Sequence, residues 1–496
     1  MYLGVDIGTG STKGVLVDEH GRIHHKKVVE HMMSTPRTGW AEFDAEAQWW
    51  AEIQEICQYL TTACTDQPLD GVCVSGMGPC LVLTDANLTP VRPAILYGVD
   101  TRAQEQIDQL TRSLGAEAIV ESCGNALSSQ SVGPKMRWVR DHEPQNFARS
   151  RYWFSAHNYI VAKLTGEYTV DHHTASQSDP LYDLVAAGWS SPWYSQVAEH
   201  LEPPRLVWPA DVVGRITAEA AECTGIAVGT PVCAGTIDAW AEAWGAGVRD
   251  PGDTMLQYGS TFFVIQNLKE PSTHAQLWST AGVAPESRCL AAGTATSGSL
   301  TTWWRHLWGD PEFSDLVTAA AQVPPGSRGV MVLPYFAGER TPIFDPDARG
   351  TVTGLTLSHG APELFRATYE GIACGVRQIL ELLEDGAERP ERLVAVGGGT
   401  SSDLWVQLVS NITGRTQEVP EQTIGAAYGD AMMVAQTVGG VDTRRWTRVE
   451  RVVEPQQEHQ ALYEEIFADF TQLYALNREL MHRSAARQRH AESEAD

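Results

Sequence analysis

The sequence predicts an α/β protein built from two domains. Residues 3–17 have the pattern of a strand, a glycine-rich turn and a second strand, and the same pattern returns at 254–265, about half a chain later. Elsewhere, short apolar strands are followed by turns and helical stretches. A chain of 496 residues is too long for one core and fits two domains of roughly 200 to 250 residues each. The repeated pattern indicates that the two halves are related.

The composition is that of a globular protein that does not bind nucleic acid. A net charge of −26, without a run of Lys and Arg, disfavours phosphate-backbone contacts, and a neutral substrate is the easier assumption. No apolar run approaches the roughly 18 residues of a membrane span. The nine cysteines are scattered without a Cys-x-x-Cys pair, which favours buried thiols over disulfides or zinc. Because the first residues lack the regions of a signal peptide, we expect a cytoplasmic protein without membrane contacts.

The glycine-rich turn of the first half is a candidate phosphate site. Its glycines let backbone amides approach an anion, its hydroxyls add hydrogen bonds, and its lysine supplies a positive charge. The order of residues matches neither a Walker A loop nor a dinucleotide fingerprint, and an ordinary hairpin turn is the alternative. Asp6, just before the turn, suits a magnesium ion carried with a nucleotide. The expected phosphate contacts are Thr9, Gly10, Ser11, Thr12 and Lys13.

Asp238 is the candidate catalytic carboxylate. The strand at 230–234 leads through a turn into an Ala-rich helix, so Asp238 lies at or just before a helix N-terminus. A helix N-cap is the plain alternative, and it is compatible with a carboxylate aimed at the carboxyl ends of the strands. His172 and His173 are adjacent and are interpreted as loop residues rather than metal ligands.

Two further loops of the first half are candidates for binding a small ligand. The Gly/Pro loop at 76–80 follows a short buried strand, and the segment 93–102 offers an aromatic ring and an Asp/Arg pair. For that pair, a solvated salt bridge is the alternative. The expected substrate contacts are Met77, Gly78, Pro79, Tyr97, Asp100, Arg102 and Asp238.

The second half repeats the glycine and hydroxyl turns. The Pro/Gly break at 250–252 marks the predicted boundary, which gives domains at 1–249 and 250–484 and a charged, flexible tail at 485–496. Three successive glycines after the strand at 393–396 let a flat ring or a ribose approach the backbone, although a plain strand-to-helix turn is the alternative. The expected nucleotide contacts are Gly259, Ser260, Thr261, Gly397, Gly398, Gly399 and Ser402.

Together these motifs resemble the FGGY family of carbohydrate kinases over nearly the whole chain. DIGTGSTKG resembles the family's first phosphate loop, and YGST, GERTP and GGGTSSDLW follow in the family's order. Residues 350–370 fit its carboxyl-terminal signature. The amino-terminal signature around Pro134 to Trp138 matches only approximately, with Val132 where Pro, Ser or Thr is usual. The segment GWAEFD, followed by two tryptophans, resembles the xylulokinases in particular.

The resemblance implies two actin-like, ribonuclease-H-like domains with an ATP and sugar cleft between them. It implies that Asp238 is the general base, that Asp6 lies near Mg²⁺, and that ATP phosphorylates a primary hydroxyl of a sugar. Met77-Gly78-Pro79 stands where xylulokinases have Gln-Met-His, and Ala239 follows Asp238 as in ribulokinases. The expected acceptor is a ketopentose, D-xylulose first, with ribulose, glycerol, an alditol or gluconate as alternatives.

Two other classes of protein share parts of this pattern. An actin-like ATPase has the fold and the first loop but neither GERTP nor the carboxyl-terminal signature. An inactive sugar-binding regulator would lack Asp6 or Asp238, and this chain has both. The sequence leaves open whether the chain forms a homodimer.

Overall fold

The computed structural model describes residues 1–64, 68–190, 193–421 and 425–493. The strands, in chain order, are β1 (Tyr2–Ile7), β2 (Ser11–Val17), β3 (Ile23–Glu30), β4 (Glu42–Phe43), β5 (Gly71–Gly76), β6 (Val82–Thr84), β7 (Ala94–Ile95), β8 (Tyr152–Phe154), β9 (Thr169–Asp171), β10 (Tyr182–Asp183), β11 (Gly188–Trp189), β12 (Arg205–Val207), β13 (Val212–Arg215), β14 (Pro231–Cys233), β15 (Asp253–Tyr258), β16 (Phe262–Asn267), β17 (Trp278–Ala281), β18 (Arg288–Gly293), β19 (Met331–Leu333), β20 (Thr351–Thr353), β21 (Arg392–Val396), β22 (Gln417–Pro420) and β23 (Val449–Val453).

The helices, in chain order, are α1 (Ala51–Ala63), α2 (Gln104–Leu114), α3 (Ala116–Cys123), α4 (Val132–His142), α5 (Pro144–Arg149), α6 (Ala156–Thr165), α7 (His172–Ser176), α8 (Trp193–Ala198), α9 (Ala218–Thr224), α10 (Asp238–Gly245), α11 (Gly298–Leu307), α12 (Phe313–Ala321), α13 (Ala361–Gly386), α14 (Asp403–Thr413), α15 (Ala426–Gly439) and α16 (Gln460–Ser493). Short turns of π or 3-10 helix are Ala45–Trp50, Ser327–Gly329, Gly398–Ser401, Thr443–Trp446 and Gln457–His459.

Two units make up the chain, and each has its own sheet. The first unit consists of Met1–Arg249, Trp278–Cys289 and Ile424–Thr447; the second consists of Asp250–Leu277, Leu290–Thr423 and Arg448–Asp496. The main segment of the first unit thus ends where the sequence placed the boundary. The predicted continuous domain at 250–484 is interrupted twice, however, because two later segments belong to the first unit.

The sheet of the first unit has helices on both faces. Its strand order is β13-β14-β5-β1-β2-β3, with β1, β5 and β14 parallel and β2 antiparallel to β1. A Cβ on Gly4 would come within 1.9 Å of the Ala427 carbonyl oxygen in α15. A Cβ on Gly14, which pairs with Val5, would contact Ile56 in α1. Since neighbouring residues of a strand face opposite sides, α15 and α1 cover opposite faces.

The sheet of the second unit repeats this topology. Its strands include β23-β22-β21-β15-β16-β18, in that order. As in the first unit, an antiparallel hairpin (β15 and β16) is followed by two parallel pairings (β15 with β21, β21 with β22) and an antiparallel edge strand. The relation between the two halves, predicted from the repeated strand-turn-strand pattern, is therefore confirmed in the order of six strands and in the direction of five of them.

The end of the chain differs from the sequence prediction. Instead of a flexible tail from residue 485, α16 continues as a helix to Ser493, and the rest of the predicted tail lies outside the described residues. The described helices include none that is long and apolar enough to cross a membrane.

Candidate active site

The parallel strands of the first unit bring the two predicted carboxylates to one edge of the sheet. Asp6 pairs with Ser75 of the neighbouring strand β5, and one residue further along, Gly76 forms a parallel bridge with Ile237. Asp238 follows directly as the first residue of α10. The carboxyl ends of β1 and β5 and the turn after β14 thus meet, which is where open parallel sheets bind ligands.

A glycine makes the turn before Asp238 possible. Gly235 has a φ of +70°, and a Cβ there would lie 1.7 Å from the carbonyl oxygen of Val74. The structure assigns the N-cap of α10 to Ile237, while the Asp238 carboxylate accepts a hydrogen bond from the Ala239 N–H at 2.8 Å. Burial raises the pKa of Asp238, although the Ala239 N–H, His157 and Lys13 act against the rise. Asp238 is partly exposed, so its carboxyl can meet a ligand.

A second buried carboxylate fixes this turn from behind. Asp171 accepts hydrogen bonds from the Thr236 hydroxyl at 2.8 Å and the Thr174 N–H at 3.1 Å. Its other oxygen lies 3.0 Å from His157 Nε2. Burial alone would raise the pKa of Asp171, but the hydrogen bond and charge of His157 outweigh it and lower that pKa. This pair was not predicted from the sequence, although Asp171 directly precedes His172 and His173.

Asp6 carries a buried oxygen without a partner. Its side chain is 7% exposed, and its Oδ1 has no hydrogen-bond partner among the described residues. Burial, followed by the charges of Asp238 and Asp430, raises the pKa of Asp6 well above its ordinary value, against the opposing charge of Lys13. A cation beside these carboxyls would relieve the unfavourable burial and repulsion.

Asp430 is a site residue that was not predicted from the sequence. It lies on α15, fully buried, and accepts hydrogen bonds from the Ser75 N–H at 3.0 Å and the Ser75 hydroxyl at 2.6 Å. Burial raises its pKa well above the ordinary value despite these bonds. A signal was present in the sequence, because a lone aspartate inside the apolar stretch 426–435 requires a polar partner when that stretch is buried.

The predicted phosphate loop, 8–13, connects β1 to β2 and is partly exposed. Thr9 and Gly10 are exposed, Ser11 is half-buried, and the Lys13 side chain points outward. The Thr9 hydroxyl also lies 2.9 Å from the Tyr97 hydroxyl, so two predicted ligand-binding loops are in contact.

Thr12 differs from the prediction. Its side chain is fully buried and donates to Glu52 Oε2 at 2.6 Å. The same Glu52 oxygen lies 2.8 Å from His31 Nδ1, and His31 Nε2 lies 2.8 Å from the Gly8 carbonyl oxygen. Burial alone would lower the pKa of His31, but the hydrogen bond to Glu52 outweighs the effect of burial and raises that pKa. The Thr12 hydroxyl is therefore used in a buried hydrogen bond that stabilises the loop, and it does not face a phosphate.

The predicted substrate loops are only partly accessible. Met77 is 1% exposed and packs in the core of the first unit, Pro79 is buried, and Gly78 is partly exposed. The Met77 side chain therefore does not face a ligand in this structure, contrary to the prediction.

The Asp100 and Arg102 pair is buried and not solvated. The two side chains are 2.7 Å apart, both with 0% exposure, and Arg102 also donates to Glu42 at 2.7 Å while its guanidinium covers the Trp40 ring. Asp100 further accepts from the Ala41 N–H at 2.7 Å. Because these polar groups are satisfied within the protein, the pair holds the segment after Tyr97 in place and offers no free group to a substrate.

In the second unit, the turn at 259–261 joins β15 to β16 and contacts the start of a helix. The carbonyl oxygens of Gly259 and Ser260 accept from the N–H groups of Gly298 and Ser299 in α11, both at 3.0 Å. Ser260 is exposed, and Gly259 and Thr261 are half-buried. Hydrogen bonds to α11 therefore fix the turn at the surface, where its hydroxyl groups can bind a ligand.

The three-glycine turn of the second unit lies at the end of the parallel strand β21. Gly397 has a φ of +89° and approaches the Tyr258 carbonyl, whereas nothing lies within 4 Å of a Cβ on Gly398. Ser402 caps α14 by accepting from the Trp405 N–H at 3.3 Å. Ser401 and Ser402 line a pocket of about 490 Å³ together with Phe313 and other residues of α12. The pocket has the size of a small-molecule site and directly follows the glycines.

Two family models match the chain. The N-terminal domain of the FGGY family of carbohydrate kinases matches residues 1–245, and the C-terminal domain of the same family matches residues 255–437.

Similar proteins cover nearly the whole chain. The xylulose kinase of Escherichia coli (strain K12) is 28% identical over 87% of this chain and 89% of its own length. The xylulose kinase of Staphylococcus xylosus is 25% identical over 95% of this chain and 99% of its own. The crystal structure of xylulose kinase from Rhodospirillum rubrum is similar at a TM-score of 0.90 and 31% identity, covering 97% of this chain and 99% of that one.

Proposed function

Because the chain belongs to the FGGY family of carbohydrate kinases, we propose that this sugar kinase transfers the γ-phosphoryl group of ATP to a primary hydroxyl of D-xylulose. The observation that carries the proposal is the pair of carboxylates, Asp6 and Asp238, at one edge of the parallel strands beside the loop 8–13. Phosphoryl transfer requires mainly positioning and neutralisation of charge, with a carboxylate to accept the alcohol proton.

Asp238 is the proposed proton acceptor. It is partly exposed, and the Ala239 N–H and the Thr236–Asp171 hydrogen bond hold its turn in one orientation. Burial raises its pKa, which makes the carboxylate a stronger base than an aspartate in water. Asp238 would take the proton from the sugar hydroxyl while the hydroxyl oxygen bonds to the γ-phosphorus and ADP leaves.

The residues at the edge fit a magnesium ion. No three His, Cys, Asp or Glu side chains form a ready metal cage in the described ranges, but Asp6 offers a buried oxygen without a partner. Mg²⁺ in kinases typically binds one or two carboxylates and the phosphates of the nucleotide. When bound, Mg²⁺ with ATP would supply the phosphoryl group and neutralise its charge. Asp6 would hold the ion, and Asp430 would keep Ser75 and the neighbouring strand in place.

Each unit has its own proposed nucleotide contacts. In the first unit, the amides and hydroxyls of the exposed residues Thr9 and Gly10 and the half-buried Ser11, with the Lys13 ammonium, would contact phosphate oxygens. In the second unit, Ser260 and Thr261 offer hydroxyls, and the pocket beside Ser402 has room for an adenosine. Gly397 to Gly399 would border that pocket with backbone only.

A substrate screen tests the proposal. ADP release would be followed with D-xylulose, ribulose, glycerol, gluconate and alditols, since Ala239 after Asp238 favours ribulose as the second candidate. We expect the highest kcat/KM with D-xylulose and almost no ADP release without sugar. ADP release that does not respond to any sugar would contradict the proposal and favour an ATPase. The Asp238→Asn variant serves as the control for background phosphatase and kinase activity.

A further inference from the structure

The first unit contains a small polar cavity that the proposed chemistry does not use. Its volume is about 20 Å³, which is enough for one water-sized group. Amide, hydroxyl and carboxyl side chains dominate its wall. The lining residues include Asn125, Gln130, Gln177, Asp179 and Thr280.

Two side chains of the wall have polar atoms without a partner. Asp179 is 5% exposed and Thr280 is 1% exposed, and neither Asp179 Oδ1 nor the Thr280 hydroxyl has a hydrogen-bond partner within the described part of the chain. Burial raises the pKa of Asp179 well above its ordinary value, so the carboxyl tends to keep its proton and can both donate and accept. Leaving such groups unpaired is costly, which indicates that something polar normally occupies the cavity.

The wall is firmly built. Asn125 exchanges two hydrogen bonds with the Ser279 backbone, both at 2.9 Å. The Ala281 N–H donates to Ser176 Oγ at 3.0 Å, and the Asp179 carbonyl accepts from the Gly133 N–H at 2.9 Å. The cavity is therefore preorganised and does not depend on a mobile loop.

Two chains of contacts connect the cavity to the loop of Tyr97 and to the helix that carries Asp238. On one side, the Gln130 side chain accepts from the Gly98 N–H at 3.0 Å, and Gly98 follows Tyr97. On the other side, the Gln177 amide lies 2.8 Å from His173 Nε2, and the His173 ring is 3.9 Å from the Trp240 ring, two residues after Asp238. These contacts connect the cavity wall to the residue after Tyr97 and, through His173, to the helix that begins with the proposed base.

We propose that Asp179 and Thr280 bind the hydroxyl of the sugar at the end remote from the phosphorylated carbon. The inference rests on the proposed function and names a specificity determinant for it. One hydroxyl matches the size of the cavity, and it donates to one of the unpaired atoms while accepting from the other. An acceptor that lacks this hydroxyl would leave both groups buried and unpaired, which is how hydrogen-bonding sites reject deoxy analogues.

The test compares D-xylulose with 1-deoxy-D-xylulose, which lacks only the hydroxyl at the remote end. We expect the wild type to prefer D-xylulose by at least about 10-fold in kcat/KM, mostly through KM. Asp179→Val should reduce this preference to within about twofold of unity, because the deoxy sugar no longer leaves a carboxyl unpaired. Asp179→Asn should keep most of the preference, since an amide also donates and accepts.

Asp183→Val is the matched control. Asp183 lies four residues further along and bonds Ser122 and the Ala186 N–H, outside the cavity, so its replacement should keep the preference. If Asp179→Val fails to fold, Thr280→Val replaces a hydroxyl by a methyl of the same shape and should lower the preference at least about threefold.

Three results would overturn the inference. The first is a wild type without a preference for D-xylulose, and the second is a preference that survives both valine variants. The third is an equal loss of kcat/KM for both sugars in Asp179→Val, which would assign Asp179 a structural role with a water in the cavity. A wild type that phosphorylates no sugar in the screen would overturn the proposed function and this inference together. If the wild type phosphorylates a sugar in the screen but Asp179→Val leaves the preference over the deoxy sugar unchanged, only the inference is overturned.

Discussion

Replacing Asp238 by asparagine changes the proposed base while preserving the turn that holds it. The amide oxygen of the new side chain can still accept from the Ala239 N–H, which Asp238 binds at 2.8 Å. The loss of a negative charge at the first residue of α10 costs about 0.3–1 kcal/mol of dipole interaction. Removing that charge also relieves its repulsion with Asp6, whose pKa it raises. These two effects oppose one another, so the melting temperature should change by only about a few degrees.

The effect on turnover should be much larger than the effect on stability. General-base catalysis contributes about 10²–10⁴-fold, and a loss of 100-fold in kcat corresponds to about 2.7 kcal/mol in the activation free energy. Because the amide cannot accept the proton, kcat should fall at least about 100-fold. The wild-type rate should also decrease in acid, as the carboxylate protonates at a pKa raised by burial, and the variant should not show that decrease.

The assay is coupled ADP release at saturating D-xylulose, from about pH 4.5 to 8, a window chosen to span the titration of a carboxylate with a raised pKa, with thermal melts of both proteins. Direct binding of the sugar by calorimetry separates lost chemistry from lost affinity. If Asp238→Asn phosphorylates the sugar at nearly the wild-type rate, Asp238 only stabilises the start of α10, and the proposed mechanism is wrong.

Three further predictions concern the residues around the base. Asp6→Ala should lower kcat at least about 100-fold with little change in sugar affinity by calorimetry, because its unpartnered oxygen is assigned to the metal; lost sugar affinity with normal kcat would contradict this assignment. The pKa of His31 is raised in the folded protein. Protonated His31 therefore stabilises the fold below about pH 6.5, and this stabilisation is lost as the pH rises through the folded pKa. The melting-temperature difference between wild type and His31→Gln should accordingly shrink from about pH 6 to 9. A melting-temperature difference that does not depend on pH would refute this role of His31. Gly235→Ala should lower the free energy of unfolding by at least about 2 kcal/mol, because it combines a positive φ with a backbone clash. Gly10→Ala, with nothing within 4 Å of its Cβ, is the control, and equal denaturant midpoints for the two variants would show that the turn relaxes.

The sequence was a good guide to features that local pattern determines. Strands and helices were predicted within a few residues around the first loop, Asp238 and the three glycines, because alternating apolar residues and glycine turns act over short distances. The relation between the halves was predictable for the same reason, since a strand-turn-strand pattern is visible twice. The roles of individual side chains in these segments were harder to predict.

The incorrect expectations share a physical cause. Thr12 and Met77 belong to suitable segments, but their side chains point into the core, and only the pairing of strands decides which face a residue occupies. Asp100 and Arg102 were expected to contact the substrate, with a solvated salt bridge as the alternative. Both interpretations are wrong because the pair is buried, and its burial depends on Trp40 and Glu42, about 60 residues earlier. Asp430 was missed because no local pattern connects α15 to Ser75, which lies 355 residues earlier.

The order in which the first unit is completed affects its synthesis. Its sheet is encoded before residue 250, but α15, which covers one face of β1 and carries Asp430, belongs to the segment Ile424–Thr447. At about 5–20 residues per second, a ribosome needs roughly 10 to 40 seconds to add the intervening stretch of about 200 residues. During this time the face of β1 around Gly4 has no cover, so a nascent chain exposes an apolar sheet to chaperones and to other chains. A nonsense mutation between residues 250 and 447 would therefore remove part of the first unit, even though it leaves the main segment of that unit, Met1–Arg249, intact.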